Sequence, residues 1–137
     1  MWDTASGECR LNLVDASRVN CVQPCLDMRH LVSGAEDEKL RIWDMEDGRT
    51  INVMNGHIGA INSVAVSRDG RFGLTAGDDR TIRIWDLVSA ECLRTVEAHE
   101  GSVTSVAFKG SLRKVISASS DMTAGLHTLK IAYQAFD

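Results

Sequence analysis

Short runs in which apolar and polar residues alternate recur along the chain. Side chains of a β-strand point alternately to its two faces, so an alternation with a period of two predicts strands. An Asp-Gly pair at 69–70 is a hairpin signal between two such runs. The pattern predicts an all-β unit without helices in residues 56–97. Its four short antiparallel strands are expected at 61–66, 72–76, 81–85 and 92–96.

The same pattern recurs at a fixed spacing. HLVSGAEDEKLRIWDM from His30 aligns without a gap with FGLTAGDDRTIRIWDL from Phe72, at an offset of 42 residues. A second step of 42 residues leads to KVISASSDMTAGLHTL from Lys114. Four antiparallel strands repeated about every 40 residues form the unit of one β-propeller blade. The spacing therefore predicts blades that follow one another along the chain.

The repeating residues resemble those of the WD-repeat β-propeller family. The resemblance rests on residues that occur in order within one repeat: Gly56–His57, Ser63–Val64, Asp69–Gly70, Thr75, Asp79, Thr81, Ile84, Trp85 and Asp86. It implies about three four-stranded antiparallel blades, an incomplete propeller. The expected divisions are the outer strand of a preceding blade at 1–14, then blades at 15–55, 56–97 and 98–137.

The resemblance also implies a chain of hydrogen bonds inside each blade. In the second repeat its members are Trp85, Thr75, His57 and Asp79. Such a chain gives each buried polar group a partner. A Thr, a His and an Asp also suggest a hydrolase triad, but a hydroxyl repeated in every blade inside a packed sheet has no access to substrate. The interpretation is therefore structural, and no catalytic residue is expected.

The other two repeats depart from this set at one position each. The first keeps Ser33, Asp37 and Trp43, with Asp15 in the position of the histidine. The third keeps His99, Ser117 and Asp121, with His127 in the position of the tryptophan. On the sequence alone, both of these networks are expected to be imperfect, and His127 has no assigned role.

Composition narrows the class of protein. With 44% hydrophobic and 25% charged residues, the chain is globular. A net charge of −4 argues against nucleic-acid and anionic-membrane partners. No stretch approaches the roughly 18 apolar residues of a membrane span, and the first residues lack the features of a signal peptide. An intracellular protein is expected, in the cytoplasm and with the nucleus as an alternative.

The four cysteines do not predict a metal site. Cys21 and Cys25 are four residues apart, which in a strand corresponds to about 13 Å, too far for a shared zinc ion or a disulfide. Cys9 and Cys92 occupy equivalent positions two repeats apart. All four are expected to be reduced, and no cofactor is expected.

Binding residues are implied by the face on which members of the family often hold their ligands. That face carries the turns between second and third strands and one end of the innermost strands. The candidates are Arg18, Asn20, Glu36, Ala60, Asn62, Asp78, Ser102, Thr104 and Ser120. Glu36 and Asp78 would form an acidic rim, which favours a basic peptide as partner.

Three classes of function follow. The leading one is a non-catalytic scaffold that binds other proteins, and a substrate-recognition module of a larger assembly, such as a ubiquitin ligase, is the alternative. An adaptor of such ligases reads an Arg or Lys two residues after the Trp-Asp pair in family members, whereas Ala5, Glu46 and Val88 stand there. That link is disfavoured. An enzyme is the third class, and the buried triad makes it remote.

The blade count predicts a fragment or short form of a larger propeller, since a closed ring needs about 4–8 blades. The third blade would have to take its outer strand from 133–136, while 8–13 forms an outer strand without its own blade. The alternative is assembly between chains, in which 8–13 completes the third blade of another copy. Both interpretations predict exposed apolar end faces and self-association.

Overall fold

The computed structural model describes residues 17–109 and 111–128, apart from the side chains of 111–113 and 128. This part of the chain contains strands and no helix. Sheet 1 consists of β1 (Val19–Pro24), β2 (His30–Ala35), β3 (Lys39–Asp44) and β4 (Thr50–Asn55). Sheet 2 consists of β5 (Ile61–Val66), β6 (Phe72–Gly77), β7 (Thr81–Asp86) and β8 (Glu91–Glu97). Sheet 3 consists of β9 (Val103–Lys109), β10 (Ser111–Ser119) and β11 (Ala124–Thr128).

Each sheet is an antiparallel meander in which every strand pairs with the next one along the chain. The predicted all-β fold is confirmed. The outer strands predicted at 8–13 and 133–136 lie outside the described residues, as do Trp2, Ala5, Cys9 and Asp15.

Because the strands alternate in direction, the connections of a sheet meet at two opposite edges. We call one the upper edge, which carries the β2–β3, β6–β7 and β10–β11 turns and the links between sheets at 56–60 and 98–102. The lower edge carries the β1–β2, β3–β4, β5–β6 and β7–β8 turns. Residues that are equivalent in the repeat therefore lie at the same edge.

The turns keep one backbone geometry even where the residue type changes. Gly70 has a positive φ of 74°, and Met28, the equivalent residue in sheet 1, has 59°. Gly48 has 76°, and its equivalent in sheet 2, Ala90, has 62°. Residues other than glycine pay a steric cost in this left-handed region. Packing of the repeat therefore holds these turns in place against local preference.

The hydrophobic core lies between consecutive sheets. Val32, Leu40 and Ile42 of sheet 1 pack in one buried cluster with Ile61 and Trp85 of sheet 2. A second cluster joins sheets 2 and 3 at the equivalent positions. The first strands lie side by side, β1 against β5 and β5 against β9. The sheets thus stack as neighbouring blades do in a propeller.

Candidate functional site

The most regular polar feature is a hydrogen-bonded chain that crosses sheet 2. The indole Nε1 of Trp85 donates to Thr75 Oγ1 at 2.9 Å. Thr75 Oγ1 lies 2.6 Å from His57 Nε2. His57 Nδ1 lies 2.9 Å from Asp79 Oδ2 and 3.0 Å from Oδ1. The four residues that the sequence grouped in this repeat are therefore in contact.

The chemistry of the donors fixes the direction of this chain. An indole N–H can only donate, so Thr75 Oγ1 accepts from Trp85 and its own O–H donates a hydrogen bond to His57 Nε2. The opposite ring nitrogen, Nδ1, then donates to the Asp79 carboxylate. This assignment requires a neutral imidazole. Burial lowers the pKa of His57, although the bond to Asp79 opposes the shift, so the neutral form is the stable one.

Asp79 receives more donors than the sequence pattern indicated. Thr81 Oγ1 donates to it at 2.7 Å, and the backbone N–H of Ile58 donates at 3.1 Å. Burial opposes ionisation of this carboxyl, but the bonds from Thr81, Ile58 and His57 outweigh it and lower the pKa of Asp79. Thr81 was part of the repeat signature, and the turn that it follows holds it against Asp79.

Gly56, before the histidine, makes room for the indole of the same chain. A Cβ at this position would lie 2.9 Å from Trp85 Cη2 and 3.0 Å from Arg83 Nη1. The indole cannot move aside to make room, since Trp85 is fully buried. The Gly-His pair and the Trp-Asp pair are therefore linked by packing as well as by hydrogen bonds.

Sheet 3 builds the same chain with a different first member. His127 Nε2 lies 2.9 Å from Ser117 Oγ, which lies 2.7 Å from His99 Nε2. His99 Nδ1 lies 3.1 Å from Asp121 Oδ2. The network of the third repeat is therefore continuous, contrary to the expectation that loss of the tryptophan leaves it imperfect. An imidazole N–H can donate where the indole does.

Two neighbouring positions change together with this exchange. Ala98 stands in the position of Gly56, and Gly125 stands in the position of Arg83. Replacing an indole by a smaller imidazole and Arg83 by a glycine removes the two groups that exclude a Cβ at Gly56. The extra methyl group of Ala98 is thereby accommodated.

Sheet 1 replaces the histidine by another route. Trp43 Nε1 donates to Ser33 Oγ at 2.8 Å. Arg41 binds Asp37 with both terminal nitrogens, Nη2 to Oδ2 at 2.6 Å and Nη1 to Oδ1 at 3.1 Å. These bonds lower the pKa of Asp37. The guanidinium takes the carboxylate that a histidine holds in the other two repeats.

The equivalent arginine of sheet 2 forms only a longer ion pair with its carboxylate, in place of the two hydrogen bonds that Arg41 makes. Arg83 Nη2 lies 3.9 Å from Asp79 Oδ2, and the buried Arg83 Nε has no hydrogen-bond partner among the described residues. Asp79 already binds His57, Thr81 and Ile58. Where the histidine is present, as in sheet 2, the aspartate binds it, and the arginine of the same sheet does not form the two hydrogen bonds seen in sheet 1.

The aspartates of the two Trp-Asp pairs that the structure describes, Asp44 and Asp86, bind the lower edge. Asp86 Oδ1 accepts from the backbone N–H groups of Val88 at 2.9 Å and Ser89 at 3.2 Å, and Asp86 Oδ2 lies 3.8 Å from Arg71 Nη2. In sheet 1, Asp44 accepts from Glu46 N at 2.8 Å and lies 3.6 Å from Arg29. The carboxylate therefore fixes the turn that follows its strand, a partner that the sequence did not identify.

The candidate binding residues lie at the upper edge and are brought together in pairs. One backbone hydrogen bond recurs in each sheet, from Glu36 N to Arg18 O at 2.9 Å, from Asp78 N to Ala60 O at 2.9 Å and from Ser120 N to Ser102 O at 3.0 Å. Arg18 also forms an exposed ion pair with Glu36, at 3.6 Å. The acidic rim is thus partly neutralised in sheet 1. In sheet 2 the position of Arg18 is taken by Ala60, and Asp78 accepts a hydrogen bond from Asn62 Nδ2 at 2.8 Å.

Three other candidates are engaged in bonds within the protein. Asn20 Nδ2 donates to Ile61 O at 3.1 Å, and Asn62 Nδ2 donates to Val103 O at 3.0 Å, so each amide joins its sheet to the next. Thr104, at the equivalent position of sheet 3, donates to Ala118 O of its own sheet at 3.2 Å. These side chains position the upper edge, and a contact with a partner would have to compete with those bonds.

Two concave surfaces were not anticipated from the sequence. An open cleft of about 500 Å³ at the upper edge is lined by Glu97, Glu100, Asp121 and His99, among others. A cavity of about 340 Å³ lies at the lower edge between sheets 1 and 2 and includes Leu26 and Val88 in its lining. Leu26 and Val88 are exposed apolar residues in turns. That exposure could not be read from the repeat pattern.

Comparison with known proteins assigns the family. The family model described as "WD domain, G-beta repeat" matches residues 7–44, 48–86 and 90–127, which is most of the chain. The chain therefore belongs to the WD40 repeat family, and the resemblance seen in the sequence is confirmed. The matched repeats at 48–86 and 90–127 each begin before the outer strand of one sheet and end in the third strand of the next.

Curated relatives share about half of the chain. It is 33% identical over 70 residues to Autophagy-related protein 16 of Arabidopsis thaliana, covering 51% of this chain and 14% of the relative. It is 33% identical over 73 residues to human Angio-associated migratory cell protein, covering 51% and 17%. It is 35% identical over 77 residues to human WD repeat and SOCS box-containing protein 1, covering 50% and 17%. The matches thus span less than a fifth of these relatives.

Residues 17–109 and 111–128 provide neither a metal site nor a membrane-spanning helix. Within these ranges no three His, Cys, Asp or Glu side chains are grouped so as to hold a metal ion. The same residues include no helix that is long and apolar enough to cross a membrane. Cys21, Cys25 and Cys92 are free thiols, and burial raises the pKa of Cys21 to about 11.

Proposed function

We propose that the chain is a non-catalytic scaffold that presents its upper edge to a segment of a partner protein. Membership of the WD40 repeat family supports a role in protein interaction. The observation that carries the proposal is the recurring pair of residues in each sheet, Arg18 with Glu36, Ala60 with Asp78 and Ser102 with Ser120, joined by the same backbone bond. Backbone bonds hold each pair, which leaves the side chains of Glu36, Asp78 and Ser120 exposed at one edge.

The charge of this edge favours a basic segment as partner. Asp78 and Glu36 are exposed, and the neighbouring cleft adds Glu97 and Glu100. Arg18 and Arg80 reduce the negative potential locally, so the acidic part of the edge centres on sheets 2 and 3. Complementary charge raises association rates and specificity, and exposed charges are screened over about 8–10 Å at physiological salt.

A lysine-rich peptide is a suitable probe for this proposal. We expect it to bind in fluorescence anisotropy, more weakly as salt is added, and to lose affinity on the order of tenfold with Glu36→Lys and Asp78→Lys combined. Glu46→Lys is the matched control, because Glu46 is exposed at the lower edge. Equal affinities of the double variant and the control would refute the upper edge as the site.

A substrate-recognition module of a larger assembly is the second candidate. It is favoured by the names of two relatives. WD repeat and SOCS box-containing protein 1 combines WD repeats with a SOCS box, and GID complex subunit 7 of Schizosaccharomyces pombe is named as a subunit of a complex. Glu46 and Val88 stand where an adaptor of ubiquitin ligases reads a basic residue in other family members. Affinity purification of the chain, with or without ligase subunits among the bound proteins, separates the two candidates.

The absence of catalysis is part of the proposal. The hydroxyl groups of Ser33, Thr75 and Ser117 are 0–2% exposed, so a substrate cannot reach them without opening the sheet. We expect no hydrolysis of activated esters, measured against a preparation in which Thr75→Val removes the hydroxyl. Ester turnover that disappears in Thr75→Val would contradict the scaffold interpretation.

A further inference from the structure

Each sheet turns one apolar face toward the sheet that follows it, which we call its forward face. The equivalent positions are Val32, Leu40 and Ile42 in sheet 1, Leu74, Ile82 and Ile84 in sheet 2, and Ile116, Ala124 and Leu126 in sheet 3. In sheets 1 and 2 these side chains are at most 6% exposed. In sheet 3, Ile116 is 42% exposed, Leu126 is 58% exposed and Ala124 is also exposed.

The opposite face, the rear face, contains two apolar positions of the first strand of each sheet beside the tryptophan of the third strand in sheets 1 and 2, and both tryptophans are buried. Its equivalent positions are Val19 and Val22 in sheet 1, Ile61 and Val64 in sheet 2, and Val103 and Val106 in sheet 3. The four residues of sheets 2 and 3 are at most 7% exposed. Val19 is 40% exposed and Val22 is 55% exposed.

The two exposed faces are the two halves of one contact. The forward face of sheet 2 packs against the rear face of sheet 3, with Leu74 and Val106 in the same buried cluster. By the repeat, Ile116 occupies the position of Leu74, and Val22 occupies that of Val106. Burial of these apolar side chains at such a contact is favourable, because it removes their surface from water. The chain therefore carries two complementary exposed surfaces, the forward face of sheet 3 and the rear face of sheet 1, at opposite ends of the stack of sheets.

We propose that the forward face of sheet 3 binds the rear face of sheet 1 of a second copy of this chain. The second copy returns the same contact, because its own sheet 3 then meets sheet 1 of the first. The result is a closed dimer of six sheets related by a two-fold axis, within the range of about 4–8 blades in which propellers close.

The junction between copies would keep one of the two hydrogen bonds that join neighbouring sheets within the chain. Ser63 Oγ accepts from the backbone N–H of Val106 across the junction of sheets 2 and 3, at 3.3 Å. Ser105 occupies the position of Ser63 in sheet 3 and is exposed, so it can accept from the equivalent N–H, that of Val22 in the second copy. Asn20 and Asn62 each donate a side-chain hydrogen bond to the next sheet. This bond is missing at the new junction, since Thr104 replaces the asparagine. The junction between copies is therefore weaker than those within one chain.

The first test is the mass of the purified chain in solution, by light scattering coupled to size-exclusion chromatography. We expect twice the 15.0 kDa mass of one chain, with dissociation on dilution. A single species of 15.0 kDa at every concentration would overturn the proposal. A continuous distribution of higher masses would overturn the closed ring.

The second test exchanges charges across the junction. We expect Ile116→Lys alone and Val22→Glu alone each to give a monomer, because either change buries an unpaired charge at both junctions. The combined variant places opposite charges at facing positions and should recover the dimer in part. Ile58→Lys is the matched control, since Ile58 is 80% exposed in an upper-edge link away from both faces.

Circular dichroism of each variant separates loss of association from loss of folding. A folded monomer in both single variants and a dimer in the control support the proposal. An unchanged mass in Ile116→Lys and Val22→Glu would overturn it, since association would then use another surface. The lysine-rich peptide test is independent, because Glu36→Lys and Asp78→Lys lie at the upper edge and should leave the mass unchanged.

Discussion

Sheets 2 and 3 arrange one buried hydroxyl between two ring nitrogens and use different residues to do so. In sheet 2, Thr75 lies between Trp85 and His57, and in sheet 3, Ser117 lies between His127 and His99. Trp85 is fully buried and also belongs to the core between sheets 1 and 2. His127 is only partly buried and its ring meets that of His99 edge-on at 6.1 Å. The hydrogen bonding is the same, but the contribution to packing is not.

The difference shows that the geometry of these hydrogen bonds can be kept while the sizes of the surrounding side chains change. The indole requires a glycine at 56, and the smaller imidazole allows an alanine at 98. The indole is permanently uncharged, whereas an imidazole can take up a proton. Sheet 2 should therefore depend on packing more than sheet 3, and sheet 3 should respond more to pH.

The largest effect is expected from placing the residue of sheet 3 into sheet 2. Trp85→His should lower the free energy of unfolding by about 2–4 kcal/mol, because it keeps a donor for Thr75 but leaves a cavity in the core. Urea denaturation followed by circular dichroism measures the loss. His127→Ala is the matched change in sheet 3 and should cost less. A loss from Trp85→His no larger than that from His127→Ala would contradict the greater dependence of sheet 2 on packing.

Removing the carboxylate at the end of each hydrogen-bonded network should have the next largest effect on stability. Asp79→Ala leaves donors of His57, Thr81 and Ile58 unpaired and should cost about 1–3 kcal/mol. Asp121→Ala should cost less, because the Asp121 side chain is 17% exposed against 9% for Asp79 and water can replace it more easily. If Asp79→Ala leaves the denaturation midpoint unchanged, the hydrogen-bonded network of sheet 2 has no structural role.

Restoring the tryptophan in sheet 3 tests the packing argument directly. His127→Trp alone should destabilise by about 1–2 kcal/mol, because the larger ring meets the methyl group of Ala98. Adding Ala98→Gly should recover most of that loss, as measured by thermal melting. Ala98→Gly in the unchanged background is the control. If the double variant is no more stable than His127→Trp, the two positions are not coupled.

The pH dependence should be smaller and should come from the histidines. Burial lowers the pKa of His57, and burial together with the positive charge of His99 lowers that of His127. As the pH falls through about 6.5, the unfolded chain therefore binds more protons than the folded chain, and stability decreases. Melting temperatures between about pH 7.5 and 5.5 should fall, and less so with His127→Trp and Ala98→Gly combined. The same slope in both proteins would exclude His127 as a contributor.

The smallest effect on stability concerns two equivalent turns at the lower edge, the β3–β4 turn of sheet 1 and the β7–β8 turn of sheet 2. Ala90 has a positive φ of 62° where Gly48 has 76°. Ala90→Gly should stabilise by roughly 0.5 kcal/mol, because relief of the steric cost exceeds the added freedom of the unfolded chain. The reverse change, Gly48→Ala, should destabilise. A loss of stability with Ala90→Gly, or a gain with Gly48→Ala, in denaturant titrations would contradict the interpretation.

Strand positions and the identity of the family could be predicted from the sequence, because both depend on information that is local along the chain. Alternation with a period of two marks β5 at Ile61–Val66, and β6 and β7 end one residue later than predicted, at Gly77 and Asp86. A gapless offset of 42 residues then transfers the register to the other repeats. Local periodicity and fixed spacing are sufficient for this, since neighbouring strands pair in chain order.

Other features were decided only by the tertiary structure. The sequence showed that a histidine is missing in the first repeat and a tryptophan in the third, but not that Arg41 binds Asp37 or that His127 binds Ser117. Nor did it show that Asp86 fixes the turn at Val88, or that Ile116 and Val22 are exposed. These outcomes depend on distances of a few tenths of an ångström and on the volume of side chains from neighbouring strands and sheets. Residue spacing along one strand carries no information on either.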